Sequence, residues 1–340
     1  MNRFLSRFSI LALLLTGLAH PLPQASAEST NYYDLLQGDY WFLLDNGDRR
    51  RGHLLRIDDQ GIELREDRGI TRFIALDRIQ QIHFPGAEVE EMAGELLAAE
   101  NFPEARSALR ALTLQRELFL PWLTDEQLWP FREFVSLLLH LEEPDEAIAT
   151  VETLRPFLDD PAELQQLDEQ ILLAQFQRGN HEYVREEALE HVARNGPYAN
   201  SMLGYYLLVH QHLGQHEYEE ALWLALQPIL FSHQIIPDWL PEIYTQALQA
   251  ALAIEDDFQV LTLFVEMEER GLQWPTGSAY DALREQALEK LRAWQAEQEK
   301  QAARNESEEE ESVEELATEN NQSPEQDLNL PLETVRRLLR

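Results

Sequence analysis

The sequence contains no cysteine, which excludes disulfides and any thiolate-ligated metal site. Lysine is nearly absent as well: Lys290 and Lys300 are the only two, and every other base is arginine. Acids outnumber bases 62 to 27, for a formal net charge of -35, which argues against nucleic acid as a partner because phosphate binding needs clustered positive charge. After residue 27 no apolar run approaches the roughly 18 residues that a membrane-spanning helix needs. Also missing are a glycine-rich phosphate loop, a Gly-x-Ser-x-Gly elbow and a His-Glu-x-x-His zinc helix, so no catalytic centre, cofactor site or metal site is expected.

The N-terminal stretch has the character of a secretory signal over residues 1–27. Arg3 and Arg7 precede an apolar run from Ile10 to Leu18, and Ala25-Ser26-Ala27 offers the small residues a signal peptidase requires. No cysteine follows for lipid attachment, so an exported, extracytoplasmic or periplasmic protein is expected, with a mature charge of -37 once the two arginines are removed.

Residues 28–37 form a short lead-in, and residues 38–86 carry β-type patterning. Trp41–Leu44 is followed by Asp45-Asn46-Gly47-Asp48, a strong hairpin signal. The runs His53–Ile57, Ile62–Arg65, Ile70–Leu76 and Ile79–Phe84 follow, separated by turns at 58–61 and 67–69. Five such strands predict a small closed barrel, which leaves no strand edge exposed. Asp45-Asn46-Gly47, Gly52, Gly61 and Ile79-Gln80-Gln81-Ile82 resemble the small barrels of the SH3-like and Sm-like kind. The nucleic-acid habit of the Sm-like group is not expected here, since the module's eight arginines are balanced by nine acids. Arg49, Arg50 and Arg51 form its one basic cluster, either a solvated hairpin shoulder or a docking point for the acidic remainder of the chain or a partner.

From residue 88 to 304 the apolar residues recur three and four apart, as in helices. One layout repeats: an apolar stripe, a polar break, then a small residue that opens a second helix. Taking Ala105, Ala147, Val184, Ala221 and Val260 as that residue gives steps of 42, 37, 37 and 39. Gly179-Asn180-x-x-Tyr183 and Gly214-x-x-x-Tyr218-Glu219-Glu220-Ala221 resemble turns of the tetratricopeptide repeat family. That resemblance implies an α-solenoid of helix hairpins presenting a concave protein-binding surface. Ser278 begins a final helix with Tyr280, Leu283, Ala287, Leu291 and Trp294 on its buried face. The family's subtype that grips a C-terminal carboxylate uses lysines early in the array, and none stands before Lys290.

Residues 305–327 hold ten acids and no base, a composition that predicts disorder. Residues 328–340 then form a short amphipathic segment of leucines and arginines.

Two clusters qualify as candidate sites. His210, His212 and His216 resemble a metal motif in composition, but residues two apart on a helix point roughly 200° from each other, so they read as polar residues at a repeat turn. Tyr198, Tyr205, Tyr206, Tyr218 and Trp223 are aromatic and close in sequence. Most are expected in packing, with Tyr205 and Tyr206 as the candidates for gripping a partner in the concave groove.

The expected protein is therefore α+β and predominantly α: a five-stranded barrel, an α-solenoid and an acidic tail. Its expected role is non-catalytic binding of protein partners, basic ones being favoured by the net charge. Recognition of an envelope glycan or a small ligand is the alternative.

Overall fold

The computed structural model of the protein describes residues 30–58, 60–232 and 236–312. The chain is α+β and predominantly helical, a five-stranded antiparallel sheet followed by a succession of helices. It divides into two compact units, the first ending at Asn180 and the second beginning at His181. The expected signal at residues 1–27 and the segment 328–340 lie outside the described residues.

The first unit opens with a short helix, α1 (Tyr32–Leu35), and strands β1 (Asp39–Leu44), β2 (Arg49–Asp58), β3 (Gly61–Arg65), β4 (Thr71–Ala75) and β5 (Ile79–His83). Asn46 and Gly47 make the β1–β2 turn: the Asn46 side chain accepts the Asp48 amide at 3.0 Å, and Gly47 takes a φ of 82°. β2 begins four residues before His53, so Arg49, Arg50 and Arg51 are strand residues just after the β1–β2 turn, paired with Leu43, Phe42 and Trp41.

Strand order is β4-β3-β2-β1-β5, and β4 and β5 are opposite edges that do not pair. The sheet is open, which corrects the expected barrel. Phe42, Leu44, Ile62, Leu64, Ile74, Ile79 and Ile82 alternate onto one face and bury it. Phe119, from the turn after the second long helix, fills that face, with Trp122 and Leu123 packed alongside. Its ring lies 5.4 Å from Phe84 and 5.7 Å from Tyr40. An apolar plug from the helical region thus covers the inner face without strand closure.

Helices α2 (Ala87–Ala98), α3 (Phe102–Glu117), α4 (Trp129–His140), α5 (Pro144–Leu154) and α6 (Pro161–Gln177) complete the first unit. The second holds α7 (His181–Asn195), α8 (Leu203–Gly214), α9 (Tyr218–Phe231), α10 (Leu240–Ala253), α11 (Asp257–Glu269) and α12 (Ser278–Ser312).

The breaks after α2, α4, α6, α8 and α10 are built alike. Each centres on a left-handed residue: Glu100, Glu142, Gly179, His216 and Glu255, with φ between 56° and 74°. The next residue's amide reaches back five positions, from Asn101 to the Leu96 carbonyl at 2.9 Å and from Glu143 to Leu138 at 2.8 Å. Asn180, Glu217 and Asp256 do the same, so carbonyls at the ends of all five helices are satisfied by one C-capping motif. Five residues beyond each left-handed position stands Ala105, Ala147, Val184, Ala221 or Val260, each fully buried. The irregular spacing read from the sequence is the spacing of these breaks. In the first unit Arg106 on α3 bridges to Glu143 and Glu146 of the next hairpin at 2.5 and 2.6 Å.

α12 buries Ala287 and Leu291 and half-buries Tyr280, Leu283 and Trp294. It runs eight residues into the stretch expected to be disordered. Residues 278–312 contain no glycine or proline and are rich in Ala, Glu, Gln, Lys and Arg, whose helix propensity carries the helix onward. Residues 313–327 lie outside the described residues. Among the described residues no helix is long and apolar enough to cross a membrane.

Candidate functional site: two exposed aromatic surfaces

The aromatic cluster at 198–223 separates into a buried set and an exposed set. Leu203 to Val209 on α8 are all buried, so this helix is enclosed on every side. Tyr205 and Tyr206 keep only 3% and 1% of their surface, which corrects their expected place in a binding groove. The Tyr206 ring packs 4.8 Å from Trp239, a residue in left-handed backbone conformation. Burial, reinforced by Tyr280 and Glu242, pushes the Tyr206 phenol far above its ordinary pKa; burial alone raises that of Tyr205. Both side chains serve packing.

On α9, Ala221, Leu222, Ala225, Pro228 and Ile229 face inward. Trp223 stands two residues from both Ala221 and Ala225, about 200° around the helix, and therefore points outward. It is 71% exposed. Leu230, seven residues on, shares its side of the helix and is exposed together with Phe231. Tyr198, 67% exposed, sets its ring 5.2 Å from that of Phe231. Tyr198, Trp223, Leu230 and Phe231 are thus four large apolar side chains left exposed on and beside one helix. Sequence spacing could have found Trp223: it sits between the two small residues that mark the inward face.

The second surface is the outer face of the sheet. Trp41 is flanked by Arg51 and His83, and Leu43 by Arg49 and Gln81. His53 stands between Asp39 and Arg65, and Glu63 between Arg56 and Phe73. The Arg51 guanidinium lies over the Trp41 ring at 5.1 Å while bonding Asp39 at 3.0 Å. Phe73, 57% exposed, lies across Gly61 so closely that a Cβ there would fall 2.2 Å from its ring. That Cβ would also fall 2.5 Å from the Ile74 carbonyl oxygen, a backbone atom that cannot swing aside as the ring can, so the position requires glycine.

Beside this sheet a cleft of about 300 Å³ opens between α1, β1, β2 and α3, lined by Tyr33, Tyr40, His53, Leu114 and Gln115 among others. Burial raises the Tyr40 phenol above its ordinary pKa.

The histidines of the α8–α9 turn are engaged separately. His212 Nδ1 lies 2.7 Å from Glu217 Oε2, and His216 Nδ1 lies 2.7 Å from the Tyr218 hydroxyl. Burial lowers the pKa of His210. Among the described residues no three histidine or acidic side chains gather where they could hold a metal ion.

No family model matches the chain, and no match is found among curated proteins or among solved structures. The architecture alone defines the class: an α+β chain in which an open antiparallel sheet precedes a succession of helix hairpins.

Proposed function

We propose that the chain is a non-catalytic protein–protein interaction scaffold or assembly factor of the cell envelope, which binds a partner on its helical-repeat surface. The observation that carries this is the exposed group Tyr198, Trp223, Leu230 and Phe231 on and beside α9. Tryptophan and tyrosine supply large contact area with few rotatable bonds, and they dominate binding energy at protein interfaces. Within each unit successive helices are packed before any partner arrives, so that unit loses little conformational entropy on association. The tetratricopeptide-like turns and the signal-like N-terminus agree with such a role outside the cytoplasm. A net charge of -35 favours a partner with basic segments and makes association sensitive to salt.

The test is capture of the tagged chain from intact cells after crosslinking, in parallel with a Trp223→Ser/Phe231→Ser double variant. One recurrent protein that the variant fails to capture is the expected result. Equal capture by both chains would overturn the α9 assignment.

The cleft bounded by Tyr33, Tyr40, His53 and Gln115 favours a second reading, recognition of an envelope glycan or small ligand. Its size suits a ligand of a few rings. A rise in melting temperature with glycan fragments, abolished by Tyr33→Ala, would support it; no rise would exclude the fragments tried.

A further inference from the structure

We infer that the outer face of the sheet is a second docking surface, and that it takes an acidic segment of another protein with apolar residues interspersed. The inference does not depend on the α9 surface. Arg49, Arg51, Arg56 and Arg65 stand on one face with Trp41 and Phe73, in a chain that is otherwise strongly acidic. Arg51 bonds Asp39, and Arg56 bonds Asp58 at 2.9 Å. Among the described residues no carboxylate pairs with Arg49 or Arg65, and both side chains are exposed. Two free guanidinium groups beside exposed aromatic rings offer charge-assisted hydrogen bonds to carboxylates and apolar contact for the side chains between them.

The chemistry of the face selects among polyanions. Asp39, Asp58 and Glu63 lie on it too, and would repel a phosphodiester or sulfated chain that carries charge at every unit. A peptide can place neutral or apolar residues opposite those three carboxylates and acids opposite Arg49 and Arg65.

The experiment is titration of the full chain, at low ionic strength, into a labelled synthetic peptide of alternating glutamate and leucine, read by fluorescence anisotropy. Saturable binding that weakens with salt is expected, as is a loss of about tenfold in Arg49→Gln/Arg65→Gln, with the melting temperature unchanged. Phe73→Ser, which removes no charge, should weaken binding as well and serves if the double variant does not fold. No binding, or equal binding by both variants, would overturn the proposal. So would tighter binding of single-stranded DNA or a sulfated polysaccharide than of the peptide. A photo-crosslinker at position 73 that reaches only residues 306–327 of its own chain would overturn it too. Throughout, capture through α9 should be unaffected by Arg49→Gln/Arg65→Gln, so this proposal can fail without the scaffold reading failing.

Discussion

Arg116 and Glu90 form an ion pair in which only one partner is buried: the Arg116 side chain keeps 2% of its surface and the Glu90 side chain 33%. Arg116 also donates to the Gln127 carbonyl at 2.7 Å and lies over the Phe84 ring at 5.2 Å. Gln127 in turn donates to the Ile82 carbonyl at 2.6 Å, so one guanidinium ties α2 and α3 to β5. Burial pushes the Arg116 pKa down and Glu90 pulls it back up, yet arginine stays charged in a protein and cannot escape by losing its proton.

The two ends of this pair should therefore respond unequally. Glu90→Ala strands a buried cation and is expected to cost about 3 kcal/mol or more. Arg116→Met leaves Glu90 able to turn to water and fills much of the same volume, so its cost should be smaller. Urea unfolding of both variants measures the order, and a larger loss for Arg116→Met would contradict it.

The left-handed turn residues make a second prediction. Glu142 holds a φ of 57°, where a side chain is strained and glycine is not. Glu142→Gly is expected to stabilise the protein by about 0.5–1 kcal/mol, even though glycine elsewhere in a helix destabilises it by a similar amount. Thermal unfolding decides this; a lower melting temperature would show that the Glu142 side chain makes a contact worth more than the strain.

Glu242 predicts how stability changes with pH. Burial raises its pKa above the ordinary 4.5, its own backbone amide opposes that, and Asp238 adds to it. Tyr206 and Tyr280 face the same carboxyl group. The folded state holds this proton more tightly than the unfolded state, so the linked stability is full below about pH 4.5 and is lost as pH rises through the folded value. Glu242→Gln removes the ionisation. Its stability relative to the parent should be near constant at acid pH and grow more favourable toward pH 8. A difference independent of pH in urea titrations would contradict this.

Much of the fold is legible in local sequence. Asn46-Gly47 and the turns at 58–61 and 67–69 delimit the strands, and the 42, 37, 37 and 39 spacing locates the five helix breaks, because both depend on residues close together in the chain. The open sheet was not legible. Its inner face is covered by Phe119, more than thirty residues beyond β5, a contact that local sequence does not show. The candidate surface was half legible. The aromatic cluster is plain in the sequence, but which members face solvent depends on helix phase and on how fully α8 is enclosed. Apolar neighbours on every side of Tyr205 and Tyr206 signal burial, and flanking alanines signal the exposure of Trp223.

The central claim is that the α9 surface grips a protein. Trp223 is 71% exposed, so Trp223→Ser should leave stability within about 0.5 kcal/mol of the parent while abolishing partner capture. The most direct measurement places a photo-crosslinker at position 223 and irradiates intact cells. A single recurrent crosslinked protein, absent when the same group replaces a residue on the exposed side of α12, is the predicted result. No crosslinked product at position 223 would contradict the account.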